Sequence, residues 1–447
     1  MTKLAKLTEQ MLQAAKAAGA ESADAIATEG RSLSIDVREG ALEHAERAEG
    51  VEIGLRVLIG QRQACVAASD ASASTITEIA DRAVAMARIA PEDPHIGLAQ
   101  PDQLATSWDL DALDLVDDSP EPMPAHLQDA ATRAEATALG VKGISKVESA
   151  AASFSRTEMH LAATNGFSGG YARSSHGVYC VAITGDGTEM ERDYAGEGRI
   201  YAADLPTPED IGALAADRTL ARKGAKKPPT GAYPVVYDER ISSGLIGHLL
   251  AAANGSMIAR GSSWLRDKNG EQVLPKGLDL TEDPHRARVS GSKPFDAEGL
   301  PTRARKIVED GVLQGWTLDL ATARQLGLSS TASAGRGPSA PPSPGLTNVA
   351  LTQGTLSRDA LLAEMGTGLL VTSLIGSSIN PTTGDYSRGA SGFWVENGQI
   401  AYPVNECTIA GNLHQMLSGI TPANDARTYL SRIVPSLLVE GLTIAGE

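Results

Sequence analysis

The 447-residue chain has few aromatic residues and a shortage of positive charge. Aromatic residues make up only 4 % of it, which argues against a surface that stacks sugars or bases. Its 39 Lys and Arg face 55 Asp and Glu, giving a net charge of −16. Nucleic acids and anionic membranes attract clustered cations, so we expect neither as a partner.

Cysteine is also scarce. Cys65, Cys180 and Cys407 are far apart and odd in number, which argues against a disulfide scaffold and a zinc knuckle. This usage is typical of the reducing cytosol, so we expect a cytoplasmic protein. The chain has no apolar run of about 18 residues, so we expect no transmembrane segment. Its first twenty residues predict an amphipathic helix and no signal peptide.

The common local motifs of catalysis are missing as well. The sequence contains no P-loop, no Rossmann glycine motif after a strand and no G-x-S-x-G elbow. None of the eight histidines is followed by Glu, and no two of them lie three to five residues apart. No local spacing therefore indicates a zinc site, which needs three or four converging ligands.

Glycine spacing and hydrophobic periodicity predict the organisation of the chain. Hydrophobic residues make up 42 %, as in a folded globular protein. Residues 1–100 predict a helix, an antiparallel meander with a glycine about every ten residues, and a second helix. The predicted strands are Asp24–Thr28, Ser32–Arg38, Leu42–Ala48, Val51–Ile59 and Gln63–Ala67.

A second unit is expected at residues 101–225, with residues 91–123 resembling a linker. Residues 226–447 predict a β-rich C-terminal domain, in which Ser329–Pro344 would form a flexible loop or a lid. The predicted fold is α+β. Two small α/β N-terminal units, with helices packed on antiparallel sheets, precede the β-rich domain.

One strand and helix resemble the layout of metal hydrolases. Tyr233–Tyr237 predicts a buried strand, and Ile241–Ala253 predicts a helix that carries a single histidine, His248. Apolar and small residues surround that helix, so we expect it to be buried nearly all round. His248 could be a core histidine, a polar contact in a cleft or a metal ligand, and the sequence leaves these open. The next residue is Leu249, where metal hydrolases place a Glu.

A second candidate region for function is the glycine-rich segment 384–392. It leads into an Asn397-Gly398 hairpin turn. It predicts either a tight hairpin with bulges or an extended groove, where glycine lets a peptide add to a sheet edge. The candidate groove residues are Asp385, Tyr386, Arg388, Gly389, Ser391 and Gly392.

Several long strings resemble the TldD/PmbA family. They are GDYSRGASGFWVENGQIAYPV and TIAGNL near the C-terminus, PFDAEG, EDGVLQGW and ATARQLGL within Lys293–Leu328, and the helix GLIGHLLAAANGS. In TldD-type members, which are zinc peptidases, this helix carries H-E-x-x-x-H and a downstream cysteine completes the metal site. TldE/PmbA-type members lack this set.

If the helix is aligned with that motif without gaps, Ser243 stands at the first histidine and Gly244 at the glutamate. His248 stands at the second histidine. The segment Arg432–Val439 has no cysteine. The resemblance therefore implies a TldE/PmbA-type subunit with vestigial motif positions, no expected catalytic residue and no metal of its own. It implies a cytosolic heterodimer with a zinc-bearing TldD-type subunit, which cleaves unfolded peptides and matures modified peptides.

Two alternatives remain open. The chain could be a stand-alone peptide-binding protein that forms a homodimer when alone. It could also be a hydrolase with a non-standard site that uses His248 with Asp385 or Tyr386. The family is sometimes labelled a modulator of DNA gyrase, and the charge of −16 gives no support for direct DNA binding.

Overall fold

Six long antiparallel strands form one sheet through the first half of the chain. The computed structural model describes residues 1–446. The strands lie in the order β3-β2-β1-β4-β5-β6. They are β1 (Ser22–Arg38), β2 (Ala41–Ile59), β3 (Arg62–Ala68), β4 (Ile144–Ala163), β5 (Ser168–Thr184) and β6 (Glu191–Arg199). The two predicted N-terminal units therefore share a single sheet, joined where β1 pairs with β4.

Two helix pairs cover one face of this sheet at opposite ends of β1. The helices are α1 (Lys3–Ala18), α2 (Ala73–Ile89), a short α3 (Leu110–Leu113), α4 (Pro124–Gly140) and α5 (Pro208–Ala221). α1 and α2 pack on one end of β1, at Ala23, Ala25 and Ala27. α4 and α5 pack on the other end, at Leu33 and Ile35. These residues are all odd-numbered, so they lie on the same face of the strand.

The first half of β2 lies beyond these helices. Residues 41–50 are all exposed, and β3 pairs only with Ile53–Ile59 of β2. Residues 41–50 therefore form an open sheet edge in the structure of residues 1–446, with β1 on one side and no strand on the other. Natural proteins usually cover or shorten such an edge, because its backbone groups can pair with another chain.

A closed barrel dominates the C-terminal half. β7 (Gly231–Tyr237), β14 (Gly368–Ile379), β15 (Asp385–Glu396), β16 (Gln399–Asn412) and β19 (Leu437–Ala445) pair in the order β16-β15-β14-β7-β19. A pairing between β16 and β19 closes the ring. The predicted Asn397-Gly398 turn joins β15 to β16 with positive φ at both residues, as a two-residue hairpin requires.

Shorter elements surround the barrel. The helices are α6 (Glu239–Ala252), α7 (Gly255–Ala259), α8 (Leu320–Leu326), α9 (Arg358–Met365) and α10 (Leu413–Ser418). The strands are β8 (Leu280–Glu282), β9 (Arg305–Glu309), β10 (Val312–Leu313), β11 (Ala334–Gly335), β12 (Ser343–Pro344), β13 (Val349–Leu351), β17 (Thr421–Pro422) and β18 (Arg432–Ile433). The α+β prediction, with N-terminal α/β units and a β-rich C-terminal domain, is confirmed.

The segment Ser329–Pro344, predicted as a flexible loop or a lid, packs against the N-terminal sheet, and its role as a lid stays a prediction. β11 and β12 pair within this segment, and the turn between them packs on the N-terminal sheet. A Cβ at Gly54 of β2 would lie 2.1 Å from the carbonyl oxygen of Pro338, so only glycine permits this approach. The side chain of Arg336 is fully buried and pairs with Asp24 of β1. A buried ion pair holds the segment in place.

Residues 91–123, predicted to resemble a linker, have little regular structure and run along the C-terminal half. Arg324 donates hydrogen bonds to the backbone carbonyls of His95 and Leu98 at 3.1 and 2.9 Å. The domain boundaries themselves stay predictions. None of the helices within residues 1–446 is long and apolar enough to cross a membrane.

Candidate functional site

The candidate site is built on β7 and α6, which follow each other as the sequence predicts. Asp238 ends the strand and caps the helix, because its carboxylate accepts a hydrogen bond from the backbone N–H of Arg240 at 3.1 Å. The same carboxylate is held by the guanidinium of Arg358 at 3.1 Å. The start of α6 is therefore fixed to the end of β7.

α6 is not buried all round, contrary to the prediction from its apolar composition. One side packs into the core through Leu245, Ile246, Leu249 and Leu250. On the other side Gly244 and Ala251 are exposed, while Ser243, Gly247 and His248 are half-buried. The small residues belong to this open side. Of the positions aligned with the metal motif, Ser243 lines a cleft, Gly244 is exposed and His248 is half-buried.

His248 lies against Tyr386 of β15. The ring centroids are 5.8 Å apart and the ring planes meet at 71°, an edge-to-face contact. Burial lowers the pKa of His248, and the charge of Arg388 lowers it further. The imidazole is therefore neutral at physiological pH.

Two tyrosines complete the wall behind the histidine. Tyr237, the last residue of β7, is fully buried beside Tyr386. Burial and the nearby Tyr386 raise the pKa of Tyr237 well above its usual value. Burial likewise raises the pKa of Tyr386. Both phenols stay protonated, so neither supplies a base at neutral pH.

The six groove candidates do not form one surface. Tyr386 and Arg388 are two residues apart in β15 and so share the face that meets α6. Asp385 is exposed at the start of the strand, where it accepts hydrogen bonds from Thr383 and Asn412. Ser391 accepts one from Arg222 at 3.1 Å, towards the N-terminal sheet.

Gly389 and Gly392 serve the packing of the barrel. A Cβ at Gly392 would lie 1.9 Å from the carbonyl oxygen of Leu370, and one at Gly389 would lie 2.6 Å from the side chain of Ile375. β15 pairs with β14 on one side and β16 on the other. Because it has neighbours on both sides, its backbone has no free edge for a peptide to extend. A groove role for side chains such as Arg388 stays a prediction.

A cleft of about 320 Å³ lies between the N-terminal sheet and the start of α6. Its lining contains serines and arginines from five segments of the chain: Ser175, Gly198, Arg199, Ile200, Ser243, Arg288, Ser290, Tyr429, Leu430, Ser431 and Arg432. Arg199 stacks on Tyr429, with 3.5 Å from the guanidinium carbon to the ring centroid. The cleft carries three arginines, of which Arg199 pairs with Glu197 and Arg288 pairs with Asp114.

Sequence reasoning missed Arg432. A Cβ at Gly247 would lie 3.7 Å from a guanidinium nitrogen of Arg432, so this side chain covers the open side of α6. Arg432 begins the near-terminal segment noted for its lack of cysteine. No local pattern marks it, because its position depends on the fold.

The geometry does not fit a zinc ion. Zinc is held by three or four nitrogen, sulfur or oxygen ligands, and His248 is the only imidazole at this site. Ser243 offers no imidazole and Gly244 no carboxylate, and Arg388 places a positive charge beside His248. Across residues 1–446, no group of three or more His, Cys, Asp and Glu is arranged to hold a metal.

Comparison with known proteins identifies the family. Family models match three consecutive parts of the chain: the PmbA/TldA metallopeptidase domain 1 (residues 23–87), central domain (residues 108–223) and C-terminal domain (residues 230–446). The chain is 37 % identical over 438 residues to the metalloprotease PmbA of Escherichia coli O157:H7, covering 98 % of this chain and 94 % of that protein. The chain belongs to the TldD/PmbA family.

Solved structures agree with this assignment. A protein from Bacteroides thetaiotaomicron, described as a candidate modulator of DNA gyrase, superposes with a TM-score of 0.91 at 26 % identity, covering 99 % of this chain and 98 % of that one. TldE from Thermococcus kodakarensis superposes with a TM-score of 0.84 at 20 % identity, covering 98 % and 100 %. The similarity to this TldE shows that the two chains share a fold.

Proposed function

We propose that this chain is the non-catalytic, TldE/PmbA-type subunit of a heterodimeric zinc peptidase. Its partner would be a TldD-type subunit that carries the zinc ion. The complex would act in the cytoplasm on unfolded peptides and in the maturation of modified peptides. The observation that carries the proposal is His248 on α6, a single neutral imidazole beside the positive charge of Arg388.

A cation at this site opposes metal catalysis by the chain itself. A divalent ion beside His248 would be repelled by the guanidinium group of Arg388, and Coulomb repulsion is strong where water is partly excluded. Gly244 offers no carboxylate to activate water. We therefore assign the chemistry to the partner, and to this chain a share in holding the peptide.

The open edge of β2 supports an assembly with another chain. Residues 41–50 expose backbone and side chains on both faces of the sheet and include Leu42, whose side chain is 49 % exposed. An edge of ten residues offers a partner strand several backbone hydrogen bonds. A partner that covers this edge would remove a site of uncontrolled association.

Reconstitution tests the proposal. The chain and a TldD-type subunit are purified separately and together, the metal content of each is measured, and hydrolysis of an unfolded peptide is assayed. We expect zinc in the partner and turnover only when both chains are present. Robust hydrolysis by the isolated, metal-stripped chain would contradict the proposal. A homodimer that binds peptide and ignores the TldD-type subunit would favour the stand-alone binding protein instead.

A further inference from the structure

A cavity of about 120 Å³ lies where the N-terminal sheet meets the C-terminal half. This volume holds several waters or one small organic molecule. Part of the lining is apolar and buried, with Ile26 and Leu161 from the sheet and Phe295 from the C-terminal half. Another part of the lining is charged and consists of Lys293, Asp296 and Arg336. The cavity is therefore suited to a molecule that is both apolar and charged.

The guanidinium of Arg336 lies inside the protein and is only partly satisfied. Its side chain has no exposed area and pairs with Asp24, which also pairs with Arg56. One carboxylate thus serves two guanidinium groups. Nη2 of Arg336 is buried and has no hydrogen-bond partner within residues 1–446. A buried donor without an acceptor is costly, so this nitrogen indicates that an acceptor from outside the chain completes the site.

The amino group of Lys293 on the same lining also has donors to spare. Nζ donates a hydrogen bond to the backbone carbonyl of Ala334 at 3.0 Å, and it makes no ion pair within residues 1–446. The carboxylate of Asp296 is occupied elsewhere, since it accepts hydrogen bonds from the backbone N–H groups of Glu298, Leu300 and Ala334. An ammonium group has three donors, so two of those on Lys293 remain for a ligand.

The cavity and its ion pairs carry more positive than negative charge. The cations are Lys293, Arg336 and Arg56, and the carboxylates are Asp24 and Asp296. Burial lowers the pKa of Lys293 and raises the pKa of Asp296, as it does for charges that are withdrawn from water. A single negative charge from outside the chain would balance the excess cation.

We propose that this cavity binds a short aliphatic carboxylate, held by Lys293 and Arg336. Ammonium and guanidinium groups form strong hydrogen bonds with a carboxylate. The apolar part of the lining favours a hydrocarbon chain over an inorganic anion, which would lose its water there without replacement. Met159 and Tyr171 on the lining are half-buried, so the cavity reaches solvent. The ligand would contact both halves of the molecule and strengthen their junction.

Matched small molecules test the inference on the full chain. The protein is dialysed into a chloride buffer without carboxylates and titrated with propionate, propionamide or formate at constant ionic strength. Saturation-transfer NMR of the ligand protons measures the affinity. We expect propionate to bind about tenfold more tightly than propionamide, which has the same shape without the charge. Propionate should also bind severalfold more tightly than formate, which lacks the hydrocarbon.

Variants of the chain assign the binding to this cavity. Lys293→Gln removes the charge and keeps a donor for the carbonyl of Ala334, so it should fold and lose most of the preference for propionate over propionamide. Lys276→Gln, at an exposed residue, should leave the preference unchanged. Arg336→Gln would also remove a partner of Asp24, so the test uses Lys293. Thermal melting without ligand checks that each variant folds, and propionate should then raise the Tm of the wild type but not of Lys293→Gln.

Equal affinity for propionate and propionamide, or the same preference in the Lys293 variant, would overturn the inference. A crystal structure of the chain grown with propionate gives an independent check. We expect the carboxylate in contact with Lys293 and Arg336, and ordered water alone in the cavity would overturn the assignment. None of these measurements needs the TldD-type subunit, so their outcome is separate from that of the proposed function.

Discussion

The imidazole of His248 meets the ring of Tyr386 edge-on, with 5.8 Å between the centroids. The contact joins α6 to β15, and Arg388 follows Tyr386 by two residues on the same face of the strand. The histidine that the sequence aligns with a metal ligand is thus packed against an aromatic ring and placed beside a cation. This arrangement favours the neutral imidazole and disfavours any positive ion near it.

Replacing Arg388 by Gln should raise the pKa of His248 towards its ordinary value without fully restoring it. Burial is the larger cause of the low pKa and remains, while the charge of Arg388 is removed. An NMR titration of the histidine Cε1–H resonances measures the change, with Arg82→Gln as the matched control. An unchanged pKa in the Arg388 variant would show that the two groups do not interact.

The low pKa of His248 also sets the sign of its effect on stability. The unfolded histidine takes up a proton near its ordinary pKa of about 6.5, before the folded one does. His248 therefore contributes its full stability above that pH and loses it as the pH falls through the folded pKa. His160 and His176 have pKa values lowered by burial and act in the same direction. The free energy of unfolding should fall on acidification below about pH 6.5.

Replacing Asp24 by Asn should strongly destabilise the junction between the N-terminal sheet and the C-terminal half. Burial raises the pKa of Asp24, but Arg56 and Arg336 outweigh it and lower the pKa overall. Asn would leave two buried guanidinium groups without their anion, at a cost of about 3–5 kcal/mol. Trp108, 4.9 Å from the ring of Phe295 at this junction, reports urea unfolding by its fluorescence.

An exposed ion pair is the control for that measurement. Lys3 and Glu29 are 2.6 Å apart, but their side chains are 61 % and 40 % exposed. Glu29→Gln should cost less than about 1 kcal/mol, because water and salt screen the pair. A similar loss for Asp24→Asn and Glu29→Gln would contradict a junction held by buried charge.

The sequence predicts the positions of turns and strands better than it predicts the lengths of the strands. Gly40 and Gly60 form hairpin turns with positive φ, as the glycine spacing indicates. Gly30 and Gly50 have the same spacing but lie opposite each other inside β1 and β2, so the predicted short strands are halves of long ones. Pairing with β4, more than a hundred residues later in the chain, carries β1 through Gly30. Local sequence does not encode such a distant partner.

The sequence predicts only those parts of the site that are built from residues close together in the chain. The apolar residues of Ile241–Ala253 locate α6 from the sequence to within two residues at its start, and the alternation of β15 places Tyr386 and Arg388 on one face. The approach of Arg432 to Gly247 depends on β18, which pairs in parallel with β13 some eighty residues earlier. The closure of the barrel by β16 and β19 is equally non-local. Both depend on tertiary packing.

Replacing Leu42 by Asp should prevent assembly with the TldD-type subunit and leave the fold intact. Leu42 is 49 % exposed at the open edge of β2, so a charged side chain there should change the stability of the isolated chain little. In an interface the same charge would be buried without a partner, which is unfavourable. Native mass spectrometry of the mixed subunits measures the loss of the complex. Ile89→Asp is the control, since Ile89 is 83 % exposed at the end of α2. Normal assembly of the Leu42 variant would place the interface elsewhere.

Replacing Gly244 by Ala should stabilise the isolated chain by about 1 kcal/mol, because Ala is the better helix former and nothing lies within 4 Å of the added Cβ. The same change at Gly392 should be strongly destabilising, since its Cβ would lie 1.9 Å from the carbonyl oxygen of Leu370 in the barrel wall. Urea unfolding measures the stability of both variants. The same change from Gly to Ala should raise the free energy of unfolding at residue 244 and lower it at residue 392. If Gly244→Ala is stabilising but lowers the activity of the reconstituted complex, a peptide or the partner approaches the α6 backbone at that residue. If it destabilises the isolated chain, helix propensity does not decide stability at this residue.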